Sequence, residues 1–166
     1  IRQRRIQNQK MIGGNFPLTG SPKSVVILIN FQDEKFQYTR QDFWNMLNES
    51  GYNYNGATGS CRDYFIACSD SIFSPQFDVY GPYTVSKEMA YYGANTGDKH
   101  GTNEKEAFIE AANLAEDDGV DFSQYDTDGD GLIDNVFFYY AGHNEAEGAS
   151  ANTIWPHSSN LSYYNI

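Results

Sequence analysis

The chain has 166 residues, enough for one domain with a real core or for one lobe of a larger domain. It holds 22 acidic against 11 basic residues, a formal net charge of -11, and the window from Asn103 to Asp134 alone sets eleven acidic residues against the single Lys105. So acidic a surface disfavours nucleic acid and anionic membranes as partners, and no apolar run reaches the roughly eighteen residues of a membrane span.

The opening, Ile1-Arg2-Gln3-Arg4-Arg5, is basic but lacks an apolar stretch behind it, so it does not read as a signal peptide. Together with Gly13-Gly14, Pro17, Gly20 and Pro22 it makes residues 1–23 an irregular lead-in. Ser24-Val25-Val26-Ile27-Leu28-Ile29-Asn30-Phe31 is apolar on both faces, the pattern of a strand in the middle of a covered sheet. Thr39 caps a predicted helix that carries Phe43, Trp44 and Leu47 and ends near Gly51. After a loop at Asn53 to Gly59, Ser60 with Asp63 opens a second helix whose expected apolar face is Cys61, Tyr64, Phe65 and Cys68. On that helix the two cysteines lie roughly 10 Å apart along the axis, too far for a disulfide, and are expected as buried thiols.

From Ser71 to Ser86 a loose alternation broken by Pro75 and Gly81-Pro82 predicts two short strands or one kinked strand near an edge. Tyr91-Tyr92-Gly93 to Gly101 reads as loop, and a long helix follows from Asn103 to about Glu116. The order strand, helix, helix, strands, long helix, strand predicts an α/β (α+β) layered arrangement with a mixed β-sheet and packed helices.

The most specific motif is Asp126-Thr127-Asp128-Gly129-Asp130-Gly131-Leu132-Ile133-Asp134, which runs into the apolar strand Val136-Phe137-Phe138-Tyr139-Tyr140. The spacing D-x-D-x-D-G-x-x-D can bring Asp126, Asp128, Asp130 and Asp134, with the Leu132 carbonyl, onto one hard cation, expected to be structural Ca2+; Gly131 permits the sharp turn. The alternative is an acidic surface turn with no metal, disfavoured because four carboxylates held this close repel one another without a cation. Position twelve, which in a helix-loop-helix EF-hand is a bidentate Glu, is Phe137, so the chain leaves this loop as a strand.

After Tyr140 a small-residue loop, Ala141 to Ser150, leaves a strand end where α/β proteins commonly place ligands. His143, Glu145, Glu147 and His157 do not have the spacing of a zinc site, and a hydrogen-bonded loop histidine is the preferred reading. Ile154-Trp155-Pro156-His157 is expected as an edge strand lining a cleft in which an extended peptide adds by backbone pairing.

Gly59-Ser60-Cys61-Arg62-Asp63-Tyr64-Phe65, Phe77-Asp78-Val79-Tyr80-Gly81-Pro82, Tyr91-Tyr92-Gly93, Tyr125-Asp126 through Asp134, Tyr140-Ala141-Gly142-His143 and Ile154-Trp155-Pro156-His157 occur in this order. The set resembles the immune inhibitor A type (M6-like) secreted bacterial metallopeptidases from about Gly14 to His157. That resemblance implies a zincin-like endopeptidase acting on protein or peptide substrates, secreted, with calcium bound structurally and Zn2+ held by an H-E-x-x-H helix. No H-E-x-x-H occurs in the 166 residues, so no zinc ligand and no catalytic residue is assigned here. The expectation is therefore that residues 24–166 form the upper subdomain of the peptidase domain, its N-terminal part, inactive alone, with the zinc helix in sequence that follows and the remainder of the domain as its partner. The alternatives are a relative whose catalytic half is lost and a non-catalytic calcium-dependent adhesion or carbohydrate-binding module.

Overall fold

Val25 to Ile29 form the middle of strand β1 (Lys23–Asn30), and all five side chains are fully buried in the computed structural model, which describes residues 16–159. Successive strand residues point to opposite faces, so this run must feed two cores. Val25, Ile27 and Ile29 join one cluster, and Val26 and Leu28 join the other. Each fully buried side chain contributes about 1.5–3 kcal/mol, which makes β1 the centre of the fold.

The sheet order is β2-β1-β3, with β2 (Gln76–Thr84) and β3 (Val136–Tyr140) both parallel to β1. Parallel neighbours need crossover connections. Helices α1 (Arg40–Asn48) and α2 (Cys61–Cys68) lie between β1 and β2, while α3 (Met89–Gly93) and α4 (Glu104–Asp117) lie between β2 and β3. Two right-handed crossovers running in opposite directions across a sheet place their helices on opposite faces. Accordingly, α1 packs on the Val26 and Leu28 face through Leu47, and α3 and α4 on the Ile27 face through Tyr92, Ala107, Ala111 and Ala115. The α/β class is thus as expected. The sheet, however, is parallel rather than mixed among the described residues, because helices and not hairpins join its strands.

Both helix starts follow their capping residues. Thr39 and Asp42 form a capping box at α1, and Ser60 and Asp63 form one at α2. Asp63 also accepts the Gly51 N–H at 2.8 Å, tying the end of the first helical segment to the start of the next. The expected apolar face of α2 is corrected: none of its residues is fully buried, Tyr64 is exposed, and of the two free cysteines Cys61 is half-buried and Cys68 exposed. Its rings turn instead to a surface cluster in which Phe65 meets Tyr64 and Phe73.

Strand β2 is one kinked edge strand. Ile27 pairs with Tyr80 and Ile29 with Tyr83, so two steps on β1 match three on β2, with the extra residue at Gly81-Pro82. Gly81 has φ 90°, and a Cβ there would lie 2.8 Å from the Leu28 carbonyl oxygen. On the outer side, the Asn48 amide serves both backbone groups of Phe77.

The stretch expected as loop from Tyr91 contains the short helix α3, with Tyr92 buried against Phe31. A Cβ at Gly93 would lie 2.5 Å from the Thr153 carbonyl carbon, so glycine permits the 150s segment to pack there. That segment is not the expected edge strand: Ile154 is buried, its carbonyl accepts the Tyr140 hydroxyl, and Pro156 interrupts any ladder. β3 is half-buried rather than enclosed, with Phe137 exposed. Most of the expected lead-in, including Arg4-Arg5 and Gly13-Gly14, lies outside the described residues. From Phe16 the chain approaches β1, and the Gly20 N–H donates to the Ile72 carbonyl at 2.8 Å.

Candidate metal centre

The aspartate loop hangs from Tyr125. This side chain ends a short turn of 3-10 helix (Phe122–Tyr125) and is buried. Its hydroxyl donates to Asp78 at 3.0 Å and lies 3.1 Å from the Tyr80 hydroxyl. Burial first, then the Tyr80 hydrogen bond and the Asp78 charge, push its phenol far above the ordinary tyrosine range. The Tyr125 carbonyl accepts the Asp134 N–H at 2.9 Å, so one backbone bond closes the loop over residues 126–133.

Inside, the carboxylates organise the backbone. Asp126 accepts the N–H groups of Gly129 at 2.8 Å, Asp130 at 3.1 Å and Gly131 at 2.8 Å. Asp128 accepts from the Asp130 N–H, and Asp130 from the Leu132 N–H. Gly129 and Gly131 take φ 75° and 88°, the left-handed region that glycine enters freely. Asp126, Asp128 and Asp130 each offer an oxygen, and these oxygens lie within 4.8 Å of one another. Two oxygens on one calcium at 2.3–2.6 Å are at most about 5 Å apart, so the triplet has the dimensions of a hard-cation shell. Asp134 is not one of the three carboxylates brought together; one of its oxygens accepts both the Thr127 N–H and the Thr127 hydroxyl. The Leu132 side chain faces solvent beside the triplet.

The loop precedes β3, whereas the Gly142-His143 loop follows it, at the opposite end of a five-residue strand. At about 3.3 Å per residue, roughly 16 Å separate the two ends. The loop therefore stands away from the strand ends where α/β folds place their ligands.

At that other end two of the histidines, His100 and His157, each lie beside one carboxylate. His100 Nδ1 lies 3.0 Å from Glu145, whose second oxygen accepts the Asn95 amide at 2.8 Å, and the His100 ring packs on Trp155. His157 Nε2 lies 3.8 Å from Glu104, and its Nδ1 is 3.0 Å from the Trp155 carbonyl. Burial raises the Glu104 carboxyl above the usual range, and His157 and then His100 oppose that rise. Glu147 accepts from the Asn144 amide, and His143 is exposed. These pairs were not legible in the sequence, where His100 carried no motif. Among the described residues only the aspartate triplet brings three possible ligands together. Its all-oxygen donors suit calcium or magnesium, while zinc sites favour nitrogen and sulfur, so the described residues do not fit a zinc centre.

The family model described as the catalytic domain of immune inhibitor A peptidase M6 matches residues 19–166. The pre-pro-metalloprotease PrtV of Vibrio cholerae serotype O1 is 30% identical over 139 residues, covering 70% of this chain and 15% of the relative, in strain M66-2 and equally in strain El Tor Inaba N16961. The chain thus spans about 15% of the length of these relatives.

Proposed function

The chain belongs to the immune inhibitor A peptidase M6 family, and from that membership we propose that it is the calcium-stabilised N-terminal portion of a secreted zinc metalloendopeptidase that hydrolyses proteins. The observation that carries this reading is the extent of the catalytic-domain match, residues 19–166, which includes every strand and helix described here. In this reading the zinc helix is supplied by sequence outside these 166 residues, because no H-E-x-x-H occurs within them.

The role of this portion is to position. The parallel sheet fixes the strand ends, and calcium held by Asp126, Asp128, Asp130, the Leu132 carbonyl and Asp134 staples the approach to β3. A cation that binds only the folded loop stabilises it by mass action, about 2.7 kcal/mol at a hundredfold excess over the dissociation constant. Extracellular calcium, about millimolar, suits a loop of this kind and supports the secreted location. Among the described residues no helix is long and apolar enough to cross a membrane.

The test compares the product of the full gene with the 166-residue chain on denatured casein. The full product is expected to cleave it and to be stopped by 1,10-phenanthroline, while the chain alone stays inactive. A full product that leaves casein and a broad peptide library intact, but binds glycans in an EDTA-sensitive way, replaces this reading with the binding-module alternative.

A further inference from the structure

Among the described residues strand β2 pairs on one side only, with β1, so the backbone groups of its other edge face away from the sheet. Successive peptide groups of an extended chain point to opposite sides. Phe77 turns its N–H and C=O outward, where the Asn48 amide takes both at 2.9 Å. Asp78 therefore turns to β1 and Val79 outward again. Beyond Val79 the extra residue at Gly81-Pro82 breaks the register. Between the Asn48 amide and that bulge the open edge is one residue long.

Helix α1 runs beside this edge. Trp44 lies one turn before Asn48, and Arg40 and Gln41 one turn before Trp44. With Asp78, Val79 and Tyr80 they line a cleft of about 250 Å3. No described side chain takes the Val79 N–H or C=O, and the Gln41 amide donates instead to Asn45 at 2.8 Å. Asp78 and Tyr80 are engaged elsewhere: Asp78 accepts the Tyr125 hydroxyl and lies 3.6 Å from Lys23, and the Tyr80 hydroxyl lies 3.1 Å from that of Tyr125. Arg40 forms no ion pair among the described residues, in a chain with twice as many acidic as basic residues. Its charge reaches the bulge, where it opposes the rise that burial and then the Asp118 hydrogen bond impose on the Tyr83 phenol. Trp44 presents an indole that is 42% exposed.

An edge one residue long does not take a strand that continues past it, because the Asn48 side chain fills the next position. It takes the end of a chain. The last residue of a peptide has one N–H for the Val79 carbonyl and one carboxylate oxygen for the Val79 N–H. A second oxygen remains for a guanidinium, which binds carboxylates through charge-assisted hydrogen bonds. Strand addition and capture of a terminal carboxylate are both general modes of peptide recognition.

We infer that this cleft binds the C-terminal residue of an extended peptide, with Val79 pairing its main chain, Arg40 its α-carboxylate and Trp44 an apolar side chain. The inference concerns the outer edge of β2 and stands whether or not the longer protein cleaves peptides.

The probe is acetyl-Ala-Ala-Phe with a free carboxylate, titrated at millimolar concentration into the isotope-labelled 166-residue chain and read from its amide resonances. The Val79 amide is expected to shift. The fitted Kd should rise at least about tenfold for the C-terminal amide of the same peptide, and likewise for Arg40→Gln, since each removes a charge-assisted contact. Trp44→Ala, and a probe whose phenylalanine nitrogen is methylated, should each weaken binding several-fold. Arg40 and Trp44 are exposed, and circular dichroism confirms that their variants stay folded. The comparison of acid with amide uses the unaltered chain, so it decides the matter even if a variant unfolds. No shift at Val79, or equal affinity for the acid and the amide, overturns the inference.

Discussion

Removing the Asn48 amide tests how the edge of the sheet is closed. Asn48 is buried at the last turn of α1, where its Nδ2 donates to the Phe77 carbonyl at 2.9 Å and its Oδ1 accepts the Phe77 N–H at 2.9 Å. The side chain thereby gives edge strand β2 the pair of bonds that a further strand would give it. In Asn48→Ala both backbone groups of Phe77 lose their partner. Each unsatisfied buried group costs about 1–3 kcal/mol, and partial water access at an edge brings the expected total to about 3 kcal/mol. For a domain of this size that lowers the melting temperature by roughly 10 °C. The assay is urea unfolding at pH 7, where the midpoint should fall at unchanged m-value. Asn48→Asp should also destabilise at pH 7, since a carboxylate cannot donate to the Phe77 carbonyl, and should recover partly in acid as it gains a proton. A loss under about 0.5 kcal/mol for Asn48→Ala would refute the reasoning, because it would mean Phe77 is satisfied by other groups.

The Asp63 carboxyl is held below the usual range by the Ser60 and then the Gly51 backbone N–H groups. A depressed folded-state pKa adds stability that is present above the unfolded value of about 3.9 and is lost as pH falls through the folded one. Asp63→Asn should therefore flatten the acid limb of the stability curve, read as urea midpoints from pH 2 to 6, and an unchanged limb would contradict the assignment. Tyr125→Phe should cost about 1–2 kcal/mol through the lost Asp78 and Tyr80 contacts. It should leave the tyrosine absorbance titration below pH 11 unchanged, because this phenol stays protonated there; a smaller amplitude would count against its burial. Gly93→Ala should release the segment around Thr153 and Ile154, since its Cβ would sit 2.5 Å from the Thr153 carbonyl carbon. Faster amide exchange at Ile154 and Glu145 checks it, and unchanged exchange would show that the backbones can part without cost.

Features that one short stretch determines were legible in the sequence. The two-faced run Val25 to Ile29 can only be a central strand, and the pairs Thr39 with Asp42 and Ser60 with Asp63 mark helix starts wherever they fall. The pairing of Gly81-Pro82 with an edge position follows from chemistry local to β2. Features that depend on distant neighbours were not legible. Helix α3 is five residues long and too short to hold by propensity; it persists because Tyr92 packs under Phe31 and Gly93 against Thr153. The rings of α2 looked core-facing by spacing, yet Cys61 is the residue of this helix that packs on the core cluster, while Phe65 meets Phe73 at the surface. In the acidic motif, spacing foretold the mutual approach of Asp126, Asp128 and Asp130, which is local. The anchoring of the loop through Tyr125 to Asp78 on β2 is a contact across 47 residues and left no mark on the sequence around the motif.

Elemental analysis of the purified 166-residue chain, combined with a thermal melt before and after EDTA, tests the central claim most directly. The account predicts about one calcium per chain, no stoichiometric zinc, and a melting temperature that EDTA lowers and added calcium restores. Stoichiometric zinc in this chain, or a melt indifferent to EDTA, would contradict it.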